Sequence, residues 1–382
     1  MTSERNEVFD PQRLTGEASL QRVVIASLPG VPADIAGTPA SEVCSRDALA
    51  GLMLDTPGLP PPEPDRLADQ LGELRSSAQG IVRDLAGGLL RAYGVRLGAL
   101  LATLKDPGTP AQQGWSRARR GYLEHWLGIE RVWLGGGLLM GGGAGDIVAG
   151  VQQLLSCAGV VLDVRVGRCP AILPLLGAAR MVGRQDGRAV VVDAGHSSIK
   201  GAVAVVNGGA LAALELLPPA PAPLSGSRDS VEAALVTALV TFADAVESTR
   251  LARVVVSVAS YLDAGAPVDD DRSIYGGLTP DRVRDLVGAA TGDDMLVEFV
   301  HDGSASALGI ADPRLSAVVT VGTWLGIGFT PSDRRLLGGD PEVRRRPSSP
   351  TSDQGVRSQP KASSTIGPGT SWPPSNSRKR TS

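Results

Sequence analysis

Apolar residues recur at helical spacing through 64–104, DRLADQLGELRSSAQGIVRDLAGGLLRAYGVRLGALLATL and its lead-in, with glycines that interrupt the pattern or allow close packing. A second helical segment is predicted over 111–127, where Trp115, Tyr122 and Trp126 are read as core aromatics. Upstream, QRVVIASLPG at 21–30 supplies one short strand-like run, and residues 1–18 are expected to be disordered. From 131 the pattern changes to strand, glycine turn and helix in RVWLGGGLLMGGGAGDIVAGVQQLLSCAG, followed by a strand in VVLDVRV and a small-residue helix in AILPLLGAARMV. The stretch VVVDAGHSSIKGAVAVV, 190–206, reads as a hairpin, because apolar runs stand on both sides of a polar turn. Residues 230–246 form an amphipathic helix and RVVVSVAS a buried strand, while TPDRVRDLVGAAT is a helix with Thr279 as N-cap and Pro280 at its first position. MLVEFV and AVVTVGT complete the strands, and no short tandem repeat is found.

Composition narrows the class. The chain has 382 residues, 42% of them hydrophobic, enough for one large core or two ordinary ones. Its apolar runs are broken by glycine or charge short of the ~20 residues a bilayer helix needs, and MTSERNEVFDPQR is too charged for a secretory signal. A cytoplasmic protein without a membrane partner is expected. Cys44, Cys157 and Cys169 are widely spaced and odd in number, which suggests neither a disulfide framework nor a zinc site. The net charge of −3 conceals a basic tail, since residues 331–382 carry +6 and the remainder −9. The acidic body argues against a specific nucleic-acid partner, and the Ser-, Pro- and Arg-rich tail is expected to be disordered.

Four segments carry candidate chemistry. In DAGHSSIK, Asp193 closes a buried strand, where a carboxylate can hold hydrated Mg²⁺ beside a phosphate. Gly195, Ser197 and Ser198 form the turn, and Lys200 on the second strand can reach the same phosphate; an ordinary hairpin turn explains these residues equally well. In FVHDGSASALGIA, Asp302 stands where a strand passes into a helix, as an N-cap or as a base for a substrate hydroxyl, with His301 behind it. In VVTVGTWLGIGF, the turn with Gly322, Thr323 and Gly326 can donate backbone N–H groups and a hydroxyl to phosphate. In VWLGGGLLMGGG, Gly135, Gly136 and Gly137 leave a side-chain-free surface on which an adenine or ribose could lie. No P-loop motif is present, and no GxGxxG opens a nucleotide-binding unit convincingly.

Together these segments resemble the sugar kinase, heat-shock protein and actin superfamily, and within it the ROK family of sugar kinases and repressors. DAGHSSIK, HDGSASALG and GTWLGIGF look similar to that family's first phosphate motif, catalytic segment and second phosphate motif, and WLGGGLLMG and LLGAARMV to its adenosine segment and closing helix. The resemblance spans roughly 20–330 and implies an α/β, two-lobed, actin-like (ribonuclease H-like) fold closing on a cleft. In the family the adenosine segment follows the second phosphate motif; here it precedes it, as in a circular permutation in which 21–30 supplies the strand after 329. The expected organisation is a disordered 1–18, a lobe at 19–185, a lobe at 186–330 and a disordered basic tail at 331–382.

The resemblance further implies an ATP-dependent kinase acting on a hydroxyl of a sugar or similar small molecule, with ATP and Mg²⁺ as cofactors. Asp302 would be the base and Asp193 would position the metal. A homodimer is plausible by the same token. His196, Ser197, His301 and Trp324 depart from the family pattern, its zinc-binding cluster has no match, and no helix-turn-helix domain precedes the body. These departures keep two alternatives open: a catalytically degenerate nucleotide- or sugar-binding scaffold, and a nucleotide hydrolase of the same fold.

Overall fold

The computed structural model describes residues 9–107, 116–183, 185–222, 227–246, 253–268, 273–292, 295–331 and 341–346. Its helices are α1 Ala40–Val43, α2 Arg46–Leu54, α3 Leu67–Arg75, α4 Gly80–Lys105, α5 Arg117–Gly128, α6 Ala144–Cys157, α7 Leu173–Met181, α8 Arg228–Asp244, α9 Pro280–Thr291 and α10 Asp302–Leu308. The strands are β1 Arg131–Gly135, β2 Asp163–Val166, β3 Gly187–Ala194, β4 Ser198–Asn207, β5 Ala210–Leu216, β6 Ala220–Pro221, β7 Arg253–Val258, β8 Leu262–Asp263, β9 Ala266–Pro267, β10 Leu296–His301, β11 Ser316–Val321, β12 Leu325–Phe329 and β13 Glu342–Arg345. The architecture is mixed α/β.

Two sheets organise it. The larger runs β10-β7-β3-β4-β5-β13, with β6 also pairing β4; the smaller runs β12-β11-β1-β2. In the larger sheet β10, β7 and β3 are parallel, and β3 turns back into β4 as an antiparallel hairpin. In the smaller sheet β11 turns back into β12 and pairs in parallel with β1, which pairs in parallel with β2. The smaller sheet thus joins strands on either side of residue 185, the expected boundary between lobes.

Strand alternation assigns the faces. Val190, Val192 and Ala194 of β3 pack with α8 and α9, while Val191 joins the α7 side. Asp193 shares the parity of Val191, and Lys200 that of Ala202 and Ala204, so this acid and base share the face turned toward α7. In the smaller sheet Val132, Leu134, Val319 and Val321 enter a core with α4 and α6, whereas Val318 packs with Leu173 and Ala307. Helices α7 and α10 therefore lie between the sheets. They touch backbone to backbone: a methyl group at Gly177 would overlap the Ala305 carbonyl oxygen.

Several expectations change. Residues 9–18 contribute to the first core, with Leu14 and Ala18 buried and Phe9 edge-on to Tyr122 and Phe329. The run at 21–30 is a 3-10 turn over Leu20–Arg22 and a single bridge, Val24 to Pro39; β12 stays at the sheet edge without it. Within the tail, 331 and 341–346 are described, and β13 pairs in parallel with β5; Trp115 and residues 332–340 and 347–382 fall outside the described residues. Helix α4 is long and apolar enough to cross a membrane, yet two thirds of its apolar window is buried inside the fold, against α6. Of the three cysteines, Cys44 is buried, and burial pushes its thiol up to about 12.

Candidate functional site

Chemistry-bearing segments sit at the carboxyl ends of parallel strands, the place where open α/β sheets leave a crevice. The turn 195–198 follows β3, Ala259 to Tyr261 follow β7, Asp302 follows β10, Gly136 and Gly137 follow β1, and Gly322 to Trp324 follow β11. All of them line one cavity of about 900 Å³.

At the first turn, Asp193 and Lys200 are direct cross-strand partners. Lys200 Nζ lies 3.1 Å from Asp193 Oδ2 and donates to the Ala171 carbonyl at 3.2 Å, which fixes the ammonium between the turn and the entry to α7. Asp193 is 5% exposed, so this partner supplies the charge that burial of a carboxylate requires. The Gly195 N–H donates to the Ser198 carbonyl at 3.1 Å. Tyr275 donates its hydroxyl to the Gly195 carbonyl at 2.8 Å from a fully buried ring. Burial, and then the charge of Asp193, hold that hydroxyl well above its ordinary range, so it remains a donor.

The second centre is Asp302. His301, not Asp302, caps α10: its Nδ1 accepts from the Ser304 N–H at 3.3 Å. Its Nε2 lies 3.2 Å from Asp302 Oδ1, which also accepts the Gly303 N–H at 2.7 Å. Burial lowers His301 to about 4, so a neutral ring stands beside the carboxylate. Tyr261 stacks on this imidazole at 4.7 Å between ring centroids. Asp302 is raised to about 6, first by burial and then by the charge of Asp193; the Gly303 N–H opposes the shift.

Glycine brings the third segment to Asp302. A methyl group at Gly303 would overlap the Ile327 carbonyl oxygen, and one at Gly328 would overlap that of Gly303, so α10 begins in direct backbone contact with β12. A methyl group at Gly326 would stand 3.6 Å from Asp302 Oδ2. The start of β12 therefore lies beside the carboxylate, and the Gly322 to Trp324 turn before it lines the same cavity, with Trp324 36% exposed.

On the fourth segment, Gly136 adopts φ +107, and a side chain there would overlap the Val321 carbonyl oxygen. Gly137 has open space where a side chain would be. Gly135 is a different case: it faces Leu173, 2.7 Å from where a methyl group would lie, and does not reach the cavity.

Ser197, Ser198, Lys200, Asp193, Gly195, Asp302, Gly322, Thr323, Gly326, Gly136 and Gly137 are thus gathered on one cavity wall, and Gly135 is not. Sequence reasoning passed over Tyr261, Tyr275 and Arg46, which the structure adds to the same region. No local motif marks them. Each reaches the site through tertiary packing.

No family model matches the sequence, and no curated protein matches it. Among solved structures, part of the chain is similar to an inorganic polyphosphate/ATP-glucomannokinase from Arthrobacter sp. strain KM, with 19% identity and a TM-score of 0.30. That match covers 38% of this chain and 58% of the other, so the chain spans less than two thirds of the length of the protein it matches. A likeness of that size leaves the cavity's own residues to carry the functional argument.

Proposed function

We propose that the protein is an ATP-dependent kinase that transfers the γ-phosphoryl group to a hydroxyl of a sugar or similar small molecule. The observation that carries this reading is the meeting of two glycine-rich hairpin turns, a side-chain-free glycine surface and a partly desolvated carboxylate, Asp302, on one cavity. Phosphoryl transfer asks for little covalent chemistry from the protein; it asks for positioning and for charge placed against the phosphates.

The donor set fits Mg²⁺ with a nucleotide. Mg²⁺ keeps most of its waters and takes one or two carboxylates plus phosphate oxygens, and no group of three or more His, Cys, Asp or Glu side chains among the described residues forms a dedicated metal cage. Asp193 would hold the hydrated ion, which when bound offsets charge on the phosphates. Lys200 and the N–H groups of His196 to Ser198 and Gly322 to Gly326 would bind phosphate oxygens, and Gly136 and Gly137 would receive the adenosine. Asp302, with Oδ1 held by the Gly303 N–H, would accept the proton of the attacking hydroxyl at Oδ2. An ordinary aspartate is a weak base at neutral pH, and one raised to about 6 accepts a proton more readily while remaining ionised at pH 7.

One observation favours the binding-protein alternative: Trp324 occupies the turn where the resembled family carries a glycine. Calorimetric titration of MgATP into the protein, alone and with a panel of hexoses and amino sugars, tests both readings. Saturable nucleotide binding that one sugar tightens, together with phosphorylation of that sugar, is expected. Binding without turnover would replace the kinase with the binding protein, and no binding at millimolar MgATP would end both.

A further inference from the structure

Arg46 opens α2, behind the Ser45 N-cap, on a segment that none of the four motifs includes. Its backbone N–H lies 3.5 Å from the Thr323 carbonyl, which ties this helix to the tip of the second turn, and its side chain lines the cavity. The side chain is 27% exposed and makes no hydrogen bond among the described residues. Its Nε is buried without an acceptor, and its nearest carboxylate is Asp47, a neighbour on the same helix, 89% exposed and 4.0 Å away. Of the other cations around the cavity, Arg346 donates to the Ala245 carbonyl, Arg345 stands exposed on β13 with no ion pair among the described residues, and three already hold carboxylates. Lys200 is paired with Asp193, Arg66 with Glu63 at 3.2 Å and Glu73 at 2.8 Å, and Arg22 with Glu17 at 3.7 Å.

A guanidinium with a buried, unpartnered Nε and unused terminal donors facing a cavity is satisfied when an anion completes it, and its planar fork matches phosphate oxygens in pairs. We infer that Arg46 is a phosphate-binding residue, reaching from α2 to the di- or triphosphate group seated on the Gly322 to Trp324 turn. This deepens the kinase reading and rests on its placement of the phosphates. It gives the second turn the cation that its own sequence lacks, and it makes α2 part of the binding wall.

The test is calorimetry of the full chain and of Arg46→Gln, Arg46→Lys and Arg66→Gln, each titrated with MgATP, adenosine and magnesium pyrophosphate, with thermal melts to establish folding. Arg46→Gln should weaken MgATP and pyrophosphate roughly ten- to a hundredfold, the span of a charge-assisted hydrogen bond or pair of them. Adenosine should be unchanged, Arg46→Lys should fall between, and Arg66→Gln should match the parent. Should Arg46→Gln fail to fold, Arg46→Lys decides, since loss of the fork must still cost affinity for both anions. Parental affinity in the Arg46 variants would overturn the assignment and leave the kinase reading standing. Arg46-dependent binding of pyrophosphate by a parent that ignores ATP would uphold the assignment and overturn the kinase reading. A parent that binds neither anion would overturn both.

Discussion

The larger and smaller sheets repeat one arrangement of four strands, β4-β3-β7-β10 in one and β12-β11-β1-β2 in the other, each an antiparallel hairpin followed by two parallel strands. Each is followed by a helix, α10 after β10 and α7 after β2, and these two helices pack against each other between the sheets. The hairpin turns are furnished differently. The turn after β3 carries its own ion pair, Asp193 with Lys200, and is braced from below by Tyr275. The turn after β11 contributes backbone and the Thr320 and Thr323 hydroxyls, and its charged neighbours, Asp302 and Arg46, arrive from α10 and α2. Equivalent backbone therefore supports a turn with built-in charge and a turn whose charge is delivered from elsewhere. The second kind is the more easily altered by single substitutions outside the turn.

The largest expected effect removes the delivered carboxylate. Asp302→Asn should lower turnover roughly 10²–10⁴-fold, the usual contribution of a general base, with MgATP affinity little changed. Stability should move the opposite way. With its folded-state value raised to about 6 from 3.8, Asp302 stabilises the fold in full only below its unfolded value, and this contribution is lost as pH rises through about 6. Asparagine does not titrate, so the variant should gain on the parent between about pH 4 and 6 and stay ahead at pH 7 by on the order of 3 kcal/mol. Parental activity should fall as pH drops through about 6, while parental stability does not fall through this group. Denaturant melts and rate measurements across pH 5–8 check both signs, and a variant less stable than the parent at pH 7 would mean that the carboxylate serves the fold instead.

A second substitution attacks the packing that makes the two halves one site. Gly177→Ala places a methyl group into the Ala305 carbonyl where α7 crosses α10, with backbone on both sides and no flexible side chain to yield. Overpacking of that kind should cost on the order of 3 kcal/mol. The control is Gly137→Ala on the cavity wall, where the added methyl group meets open space and stability should change by less than about 0.5 kcal/mol. Equal melts for the two variants would mean that the helices are less tightly joined than their backbone contact indicates.

Much of this was legible in the sequence, and what was not has a common cause. The hairpins at 190–206 and 318–329 followed from apolar alternation around polar turns, and the start of α9 from Thr279 and Pro280, because local residues decide those features. The run at 21–30 read as a strand because Val23, Val24 and Ile25 are β-branched, yet Val23 and Ile25 are buried with only one bridge between them, and burial alone satisfies the same pattern. Gly135 looked identical to Gly136 and Gly137 in a run of three. Alternation along β1 turns Gly135 into the packing against Leu173, a distinction that depends on strand register. The place of Arg46 follows from where α2 docks, and nothing in RDALAGLML announces a site.

The smallest effect probes the brace beneath the first turn, a buried side-chain hydroxyl where the second turn is met by a backbone N–H of α2. Tyr275→Phe removes one hydroxyl and leaves the buried ring, so the Gly195 carbonyl loses its donor while the packing survives. The net loss in stability should be about 1 kcal/mol, the ordinary value of a hydrogen bond between uncharged groups. If the brace also sets the height of the turn that carries Ser197 and Ser198, MgATP affinity should fall severalfold with no change in the pH at which parental activity declines. That pH belongs to Asp302, whose value the Asp193 charge already helps to raise. A shift in the acid limb on removing the Tyr275 hydroxyl would show instead that this brace sets how strongly the charge of Asp193 acts on Asp302, and the turn would have to be counted among the groups that tune the base.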